Sequence, residues 1–247
     1  PYIIQYFTGR GDYSPTPKIE RNPKKIRRGE YMFIEEPLDV RGTRYMDLRY
    51  LDIEKPDDIW IWFPLFRRIR RMGYSYKSDT IDGTDLGPND AMGWNSHVNR
   101  KTWEIIGRKE MILGRHTDTG KYEKVKGQAT WSGLQLERVN ALMLESRFKA
   151  KDEVYSKEML YMDPETWRCL QKVTWDRQGR VWRHFFYHTQ LFTDEKTGIE
   201  HTHTFELYSA DLQRRHCCPS IDNVEEIGLN IDSAKYWTIQ NLQKLGY

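Results

Sequence analysis

The segment FPLFRRIRRMGY, residues 63–74, places Arg67, Arg68, Arg70 and Arg71 almost side by side. On a helix, Arg67, Arg70 and Arg71 would form a cationic stripe suited to phosphate groups. On a strand, the same arginines would divide between the two faces of a sheet. The flanking residues decide. The preceding run DDIWIWFP is β-branched and aromatic and ends at Pro64, which breaks any helix reaching back to Trp62 and holds the residue before it extended. The segment therefore predicts strand, Pro-containing turn, strand. Arg67, Ile69 and Arg71 face one way in the second strand, and Phe66, Arg68, Arg70 and Met72 the other. No nucleic-acid partner is expected. Arginine stems cover apolar surface while their heads reach carboxylates, and SDTIDGTDLGPND supplies Asp79, Asp82, Asp85 and Asp90 close by. These acids are expected to pair with the arginine strand and fix the loop. Their spacing lacks the regular ligands and terminal Glu of a calcium loop.

Other reactive residues point to no chemistry. His201 and His203 share one face of a strand, and with His216, Cys217 and Cys218 would make a zinc set, but nothing in the sequence joins the two groups. Cys217 and Cys218 are adjacent, so a bond between them would be strained; Cys169 can pair with either. No G-x-S-x-G, phosphate loop or H-E-x-x-H occurs. The expectation is a protein without catalytic residues, metal or cofactor, and not an enzyme.

The elements that position these residues are mostly strands. The chain has 247 residues with 38% hydrophobic and 30% charged, a net charge of +3 and mean hydropathy −0.82. No apolar run approaches the roughly 20 residues of a membrane-spanning helix. Aromatic residues reach 13%, with 9 Trp and 15 Tyr, an enrichment that suits β structure or an apolar cavity. In DDIWIWFP, Trp60 and Trp62 share one face while Ile59, Ile61 and Phe63 share the other, so this strand is expected to be covered on both sides. Further short runs follow, joined by turns: WDRQGRVW predicts a hairpin with Gly179 at positive φ, and MDPETWR a tight turn at Pro164. The pattern is a meandering antiparallel sheet. Residues 1–28 read as an extended basic arm with a short strand at Tyr2–Phe7. Residues 29–247 read as one domain ending in a helix over 233–245, with Ser233 as its N-cap. The start at Pro1 is read as a trimmed chain whose signal peptide is removed or missing.

DDIWIWFPLFRRIRRM followed by SDTIDGTDLGPNDAMGW resembles a family of Gram-negative envelope proteins related to the outer-membrane lipoprotein-sorting, or lipoprotein-carrier, superfamily. That family carries a D-x-W-x-Y-x-P-x-x-R-R-x-R-R hairpin and then an acidic G-[ST]-D element with a later Asp. The matching residues are Asp58, Trp60, Trp62, Pro64, Arg67, Arg68, Arg70, Arg71, Gly83, Thr84, Asp85 and Asp90; Trp62 stands where Tyr is usual. The likeness continues through GLQLERVNALMLE, YSKEMLYMDPETWRCLQKVTWDRQGRVW and DLQRRH. It implies a mainly β (α+β) fold: a strongly curved, incompletely closed antiparallel sheet, a half-barrel, with a few helices covering an apolar cavity. It also implies a periplasmic carrier of a lipid or other hydrophobic cargo, active in outer-membrane biogenesis. Expected partners are a resistance-nodulation-division type transporter, an outer-membrane protein and the membrane surface. The alternative is a non-carrier interaction module of the same fold, a stress sensor or transporter adaptor. Candidate cavity residues are Trp60, Trp62, Phe66, Met72, Trp131, Leu144, Met159, Tyr161, Trp175 and Trp182, set against a purely structural role in the core.

Overall fold

The structure, a computed structural model, describes residues 2–10, 15–81, 84–117, 123–125, 131–150, 153–193, 198, 200–221 and 231–244. The chain groups into two compact units, Pro1–Tyr76 with Leu229–Tyr247, and Lys77–Gly228.

In the first unit, β1 (Tyr2–Tyr6), β2 (Ile26–Phe33), β3 (Arg44–Tyr50), β4 (Asp58–Phe63) and β5 (Arg68–Met72) form an antiparallel meander in chain order. Alternation along β4 works as its sequence predicts. Trp60 and Trp62 pack with Tyr31, Met46, Leu48 and the C-terminal Trp237 and Leu242. Ile59, Ile61 and Phe63 pack on the opposite face with Met32, Tyr45, Met72 and Tyr76. β4 is covered on both sides.

The arginine strand starts later than its pattern suggests. Arg67 donates its N–H to the Pro64 carbonyl (3.1 Å) and takes a positive φ of 48°, so Phe66 and Arg67 belong to the turn. Beyond it, Ile69 and Arg71 stand opposite Trp62 and Trp60, while Arg68, Arg70 and Met72 stand opposite Phe63, Ile61 and Ile59.

The first residues are part of this sheet, because their apolar side chains have somewhere to go. β1 pairs with β2 from Tyr2 to Tyr6, and Phe7 is buried with Ile3 beside it in the core. The C-terminal helix comes in two pieces, α1 (Ser233–Tyr236) and α2 (Ile239–Lys244). Asp232 precedes α1, and its carbonyl accepts the N–H groups of Lys235 and Tyr236. Ser233 is the first helical residue and not the cap. Thr238 breaks the run and caps α2, its hydroxyl accepting the Asn241 N–H (3.1 Å). The break seats Trp237 on Gly29, where an added Cβ would stand 2.7 Å from the indole ring. At the far end of α2, Arg44 donates to the carbonyls of Leu242 (2.9 Å) and Gln243 (2.8 Å), satisfying groups a helix end leaves open.

In the second unit, β6 (Lys101–Leu113), β9 (Glu137–Phe148), β10 (Lys157–Met162), β11 (Cys169–Trp175), β12 (Val181–Thr193), β13 (Glu200–Asp211) and β14 (His216–Ile221) form an open antiparallel sheet in the order β14-β13-β12-β11-β10-β9-β6. A small ribbon pairs β7 (Glu123–Lys124) with β8 (Trp131–Ser132). The Asp176–Gly179 hairpin turn places Gly179 at φ 78°, as expected. Among the described residues the chain is thus mainly β and antiparallel, with an unclosed sheet and two short α-helices. Among the described residues no helix is long and apolar enough to cross a membrane, which says nothing of crossing by strands.

The contact between Gly29 and Trp237 gives a direct test of the first unit. Gly29→Val is expected to lose about 1–3 kcal/mol in urea denaturation, because the indole must move. Gly73→Ala, whose added methyl meets only the Ser75 hydroxyl at 3.8 Å, should stay within about 0.5 kcal/mol of the parent.

Candidate functional site

Residues directly paired across strands share a face, so the register of the seven-stranded sheet defines two surfaces. One carries the row Leu144, Leu160, Lys172, Phe185 and Ser209, beside a row of Ser146, Glu158 and Thr174. It is covered by the segment after residue 84: Leu86 and Trp94 pack with Leu160, Cys169, Phe185 and Tyr187.

Lys172 projects from the sheet with its ammonium fully buried, and a 3-10 turn at Pro88–Gly93 brings Asp90 to within 2.6 Å of it. The second Asp90 oxygen accepts from the Tyr155 hydroxyl (2.9 Å) and the Gly87 N–H (3.1 Å). The Asp90 carbonyl accepts from the Tyr187 hydroxyl at 2.7 Å. Tyr155 also accepts from Arg183 (2.8 Å), whose guanidinium lies 3.9 Å from Asp211. Glu158, 3.8 Å from Lys172, is bound by Lys101 and by the Ser146 hydroxyl (2.7 Å).

Burial by itself pulls the Lys172 ammonium down, but Asp90 and Glu158 more than reverse this and raise it. Burial by itself raises the Glu158 carboxyl, and Lys101 and Lys172 more than reverse that and lower it. Lys172 and Glu158 therefore stay charged at neutral pH. Burial pushes the Cys169 thiol up to about 12, leaving it neutral and unreactive. Gly93 passes directly over it at φ 89°, where an added Cβ would come within 2.2 Å of the Cys169 Cβ. This surface locks the covering segment to the sheet.

The opposite surface is different in kind. One row runs Met143, Tyr161, Gln171, Phe186, Tyr208; the next runs Glu145, Met159, Val173, His184, Ala210. Met143, Met159, Tyr161, Val173, Phe186 and Tyr208 are all half-buried, as is Trp175, which carries the Lys157 ammonium 4.2 Å above its ring. The polar pair within this field, Gln171 Nε2 and His184 Nε2, meets at 2.6 Å. The imidazole stacks at a tilt on Phe186, 4.2 Å between centroids, and burial lowers its pKa below the usual value. Tyr208 is pushed up to about 12 by its hydrogen bond with Cys217 and by burial.

The residues singled out in the sequence distribute as follows. Trp60 and Trp62 lie on one face of the first unit's sheet and Met72 on the other, while Phe66 is exposed in the β4–β5 turn. Leu144 belongs to the Lys172 surface, as does Trp182, which packs edge-on to Tyr155 and donates to Asp211 (2.8 Å). Met159, Tyr161 and Trp175 share the half-buried surface. Trp131 lies in β8, its side chain outside the described residues. Asp90, expected to meet the arginine strand, answers Lys172 because the 3-10 turn carries it onto the sheet. Asp85 pairs with His216 Nδ1 at 2.7 Å, Asp79 is exposed, and Asp82 lies outside the described residues. In the first unit Arg71 pairs with Asp58 and stacks over Trp60 at 5.9 Å; Arg67, Arg68 and Arg70 are exposed.

His201 and His203 pair with Phe192 and Gln190 along β13, while His216 pairs with Asp211 at its other end. Among the described residues no group of three or more His, Cys, Asp or Glu is placed to hold a metal ion. Sequence reasoning missed Lys101, Glu158, Lys172, Met143, Phe186 and Tyr208. The signal for the last three was present in strand alternation, for example in RVWRHFFYHTQ.

Comparison with known proteins bears on this arrangement. The model of a protein family of unknown function, DUF1329, matches residues 3–243. The chain belongs to this family. Over 156 residues it is 22% identical to an uncharacterised protein of Pseudomonas aeruginosa, covering 58% of this chain and 34% of that relative; the match thus spans about a third of the relative's length. Two crystal structures share the fold. One is a DUF1329 family protein from Desulfovibrio piger, with TM-score 0.61 and 20% identity over 87% of this chain and 77% of that one. The other is a Vibrio parahaemolyticus domain described as an outer membrane lipoprotein-sorting protein, with TM-score 0.65 and 14% identity over 90% and 80% of the two chains. The family match and the fold shared with a domain described as lipoprotein-sorting agree with the resemblance carried by the arginine hairpin and the acidic element.

The buried charges predict both a mutational cost and a pH dependence. Lys172→Met should lose about 3–5 kcal/mol in urea denaturation at neutral pH, since Asp90 would lose the ammonium 2.6 Å away and Glu158 would keep only Lys101. The Glu158 carboxyl is depressed in the folded protein, so its contribution is complete above the ordinary value of 4.5 and is lost as pH falls through the folded value. Glu158→Gln should therefore show a shallower decline of stability below pH 4.5 than the parent protein.

Proposed function

We propose that this protein binds a lipid or another hydrophobic molecule in the Gram-negative envelope, as a periplasmic carrier without catalytic activity, on the half-buried surface of its seven-stranded sheet. The observation that supports the reading is the continuous field of Met143, Tyr161, Phe186 and Tyr208 beside Met159, Val173 and Trp175. Sheltering an acyl chain contributes about 0.8 kcal/mol per buried methylene. Flat rings supply wide contact at little entropic cost, and thioethers adapt to chains of varied shape. The Gln171–His184 pair provides polar atoms amid this field, suited to orienting the polar end of a cargo. The fold shared with a domain described as a lipoprotein-sorting protein supports the same reading. Working partners in this reading are a lipid-exporting transporter and an outer-membrane protein.

The expected result is an acyl-chain compound co-purifying with the protein, recovered by organic extraction and identified by mass spectrometry. Delipidated protein should bind a fluorescent fatty-acid analogue, and Phe186→Asp or Met159→Asp should weaken that binding about tenfold or more. Delipidated protein that binds no fatty acid, phospholipid or lipopeptide up to their solubility limits would overturn the proposal.

A further inference from the structure

We infer that the β4–β5 turn of the first unit docks on an anionic lipid bilayer, entering its interface with Leu65 and Phe66 and meeting its phosphates with Arg67, Arg68 and Arg70. Leu65 and Phe66 are 81% and 63% exposed, and Leu38, in the β2–β3 loop, is 80% exposed. These are among the most exposed large apolar side chains of the described residues. By the antiparallel order both connections leave the same end of the sheet, and they touch: a Cβ on Gly42 would lie 3.5 Å from Pro64. The turn is held by its own hydrogen bond from Arg67 to Pro64, so the apolar pair is presented on a fixed support.

Immediately after that pair come three exposed arginines, none of which has an ion pair among the described residues; Arg71 alone is matched, by Asp58. An acidic protein surface would call for the arginines but would leave Leu65 and Phe66 without a purpose. A bilayer interface takes both, with apolar tips below the headgroups and guanidinium groups at the phosphates. The neighbouring loop sets a limit on this attraction: beside Arg41 it carries Glu35, Glu36 and Asp39, all exposed. The geometry therefore makes the acids oppose what the arginine turn favours. The docking surface does not involve the cargo-binding face, and it stands or falls apart from the carrier reading.

The test uses delipidated full chain and vesicles of phosphatidylethanolamine with and without phosphatidylglycerol, read by co-sedimentation. The protein should sediment with phosphatidylglycerol vesicles and release as salt is raised. L65S/F66S should weaken binding about tenfold or more, R67Q/R68Q/R70Q should remove the preference for phosphatidylglycerol, and E35Q/E36Q/D39N should strengthen binding. All these side chains are exposed, and unchanged urea denaturation of each variant confirms folding. A parent protein that ignores phosphatidylglycerol vesicles overturns the inference, as does binding that L65S/F66S leaves intact or that does not depend on phosphatidylglycerol. Capture by an acidic protein with no binding to vesicles overturns it as well.

Discussion

Lys172 leaves β11 with its ammonium out of reach of water, and a buried cation of this kind destabilises a fold unless carboxylates are brought to it. Much of the second unit is organised by that demand. Asp90 arrives on a short 3-10 turn, Glu158 sits two strand positions away, and each carboxylate is itself held by further donors. The turn can approach so closely only because Gly93 has no side chain to meet Cys169. One electrostatic requirement thus fixes the path of the covering segment and closes one side of the sheet.

The consequence is a division of labour between two faces. Ion pairs and aromatic rings fill the Lys172 side, where Phe185 lies 4.7 Å from the ammonium. On the reverse, the strands turn methionines, aromatic rings and Val173 outward, relieved by the Gln171–His184 contact. An acyl chain laid against buried charges would gain little, whereas on the reverse face it would meet mostly apolar surface, whose desolvation is favourable.

Features set by neighbours in the sequence were legible. The two-residue alternation of DIWIWF, the stop at Pro64 and the positive φ of Gly179 all follow from local backbone chemistry, and each appears in the structure. Features set by distant partners were not. Asp90 meets a lysine 82 positions away, so a search among nearby arginines could not find its partner. The break between α1 and α2 answers the fit of Trp237 on Gly29, which helix propensity does not encode. Arg67 looked like a strand residue because its pattern was right, but its backbone turns left-handed before the strand begins. Size and apolarity mark residues such as Leu144 and Met159 as cavity candidates, but those properties do not say which face a side chain takes once bulges shift the register.

The most direct measurement is to load delipidated protein with a fatty acid carrying a photoactivatable group, irradiate it, and map the labelled peptides by mass spectrometry. Label on the peptides of β9 to β13, at Met143, Met159, Tyr161, Phe186 and Tyr208, is the predicted result. Label concentrated instead at Leu160, Phe185 and Tyr187, or at Trp60 and Trp62 of the first unit, would contradict the division of the sheet into a face held by buried charges and a half-buried apolar one.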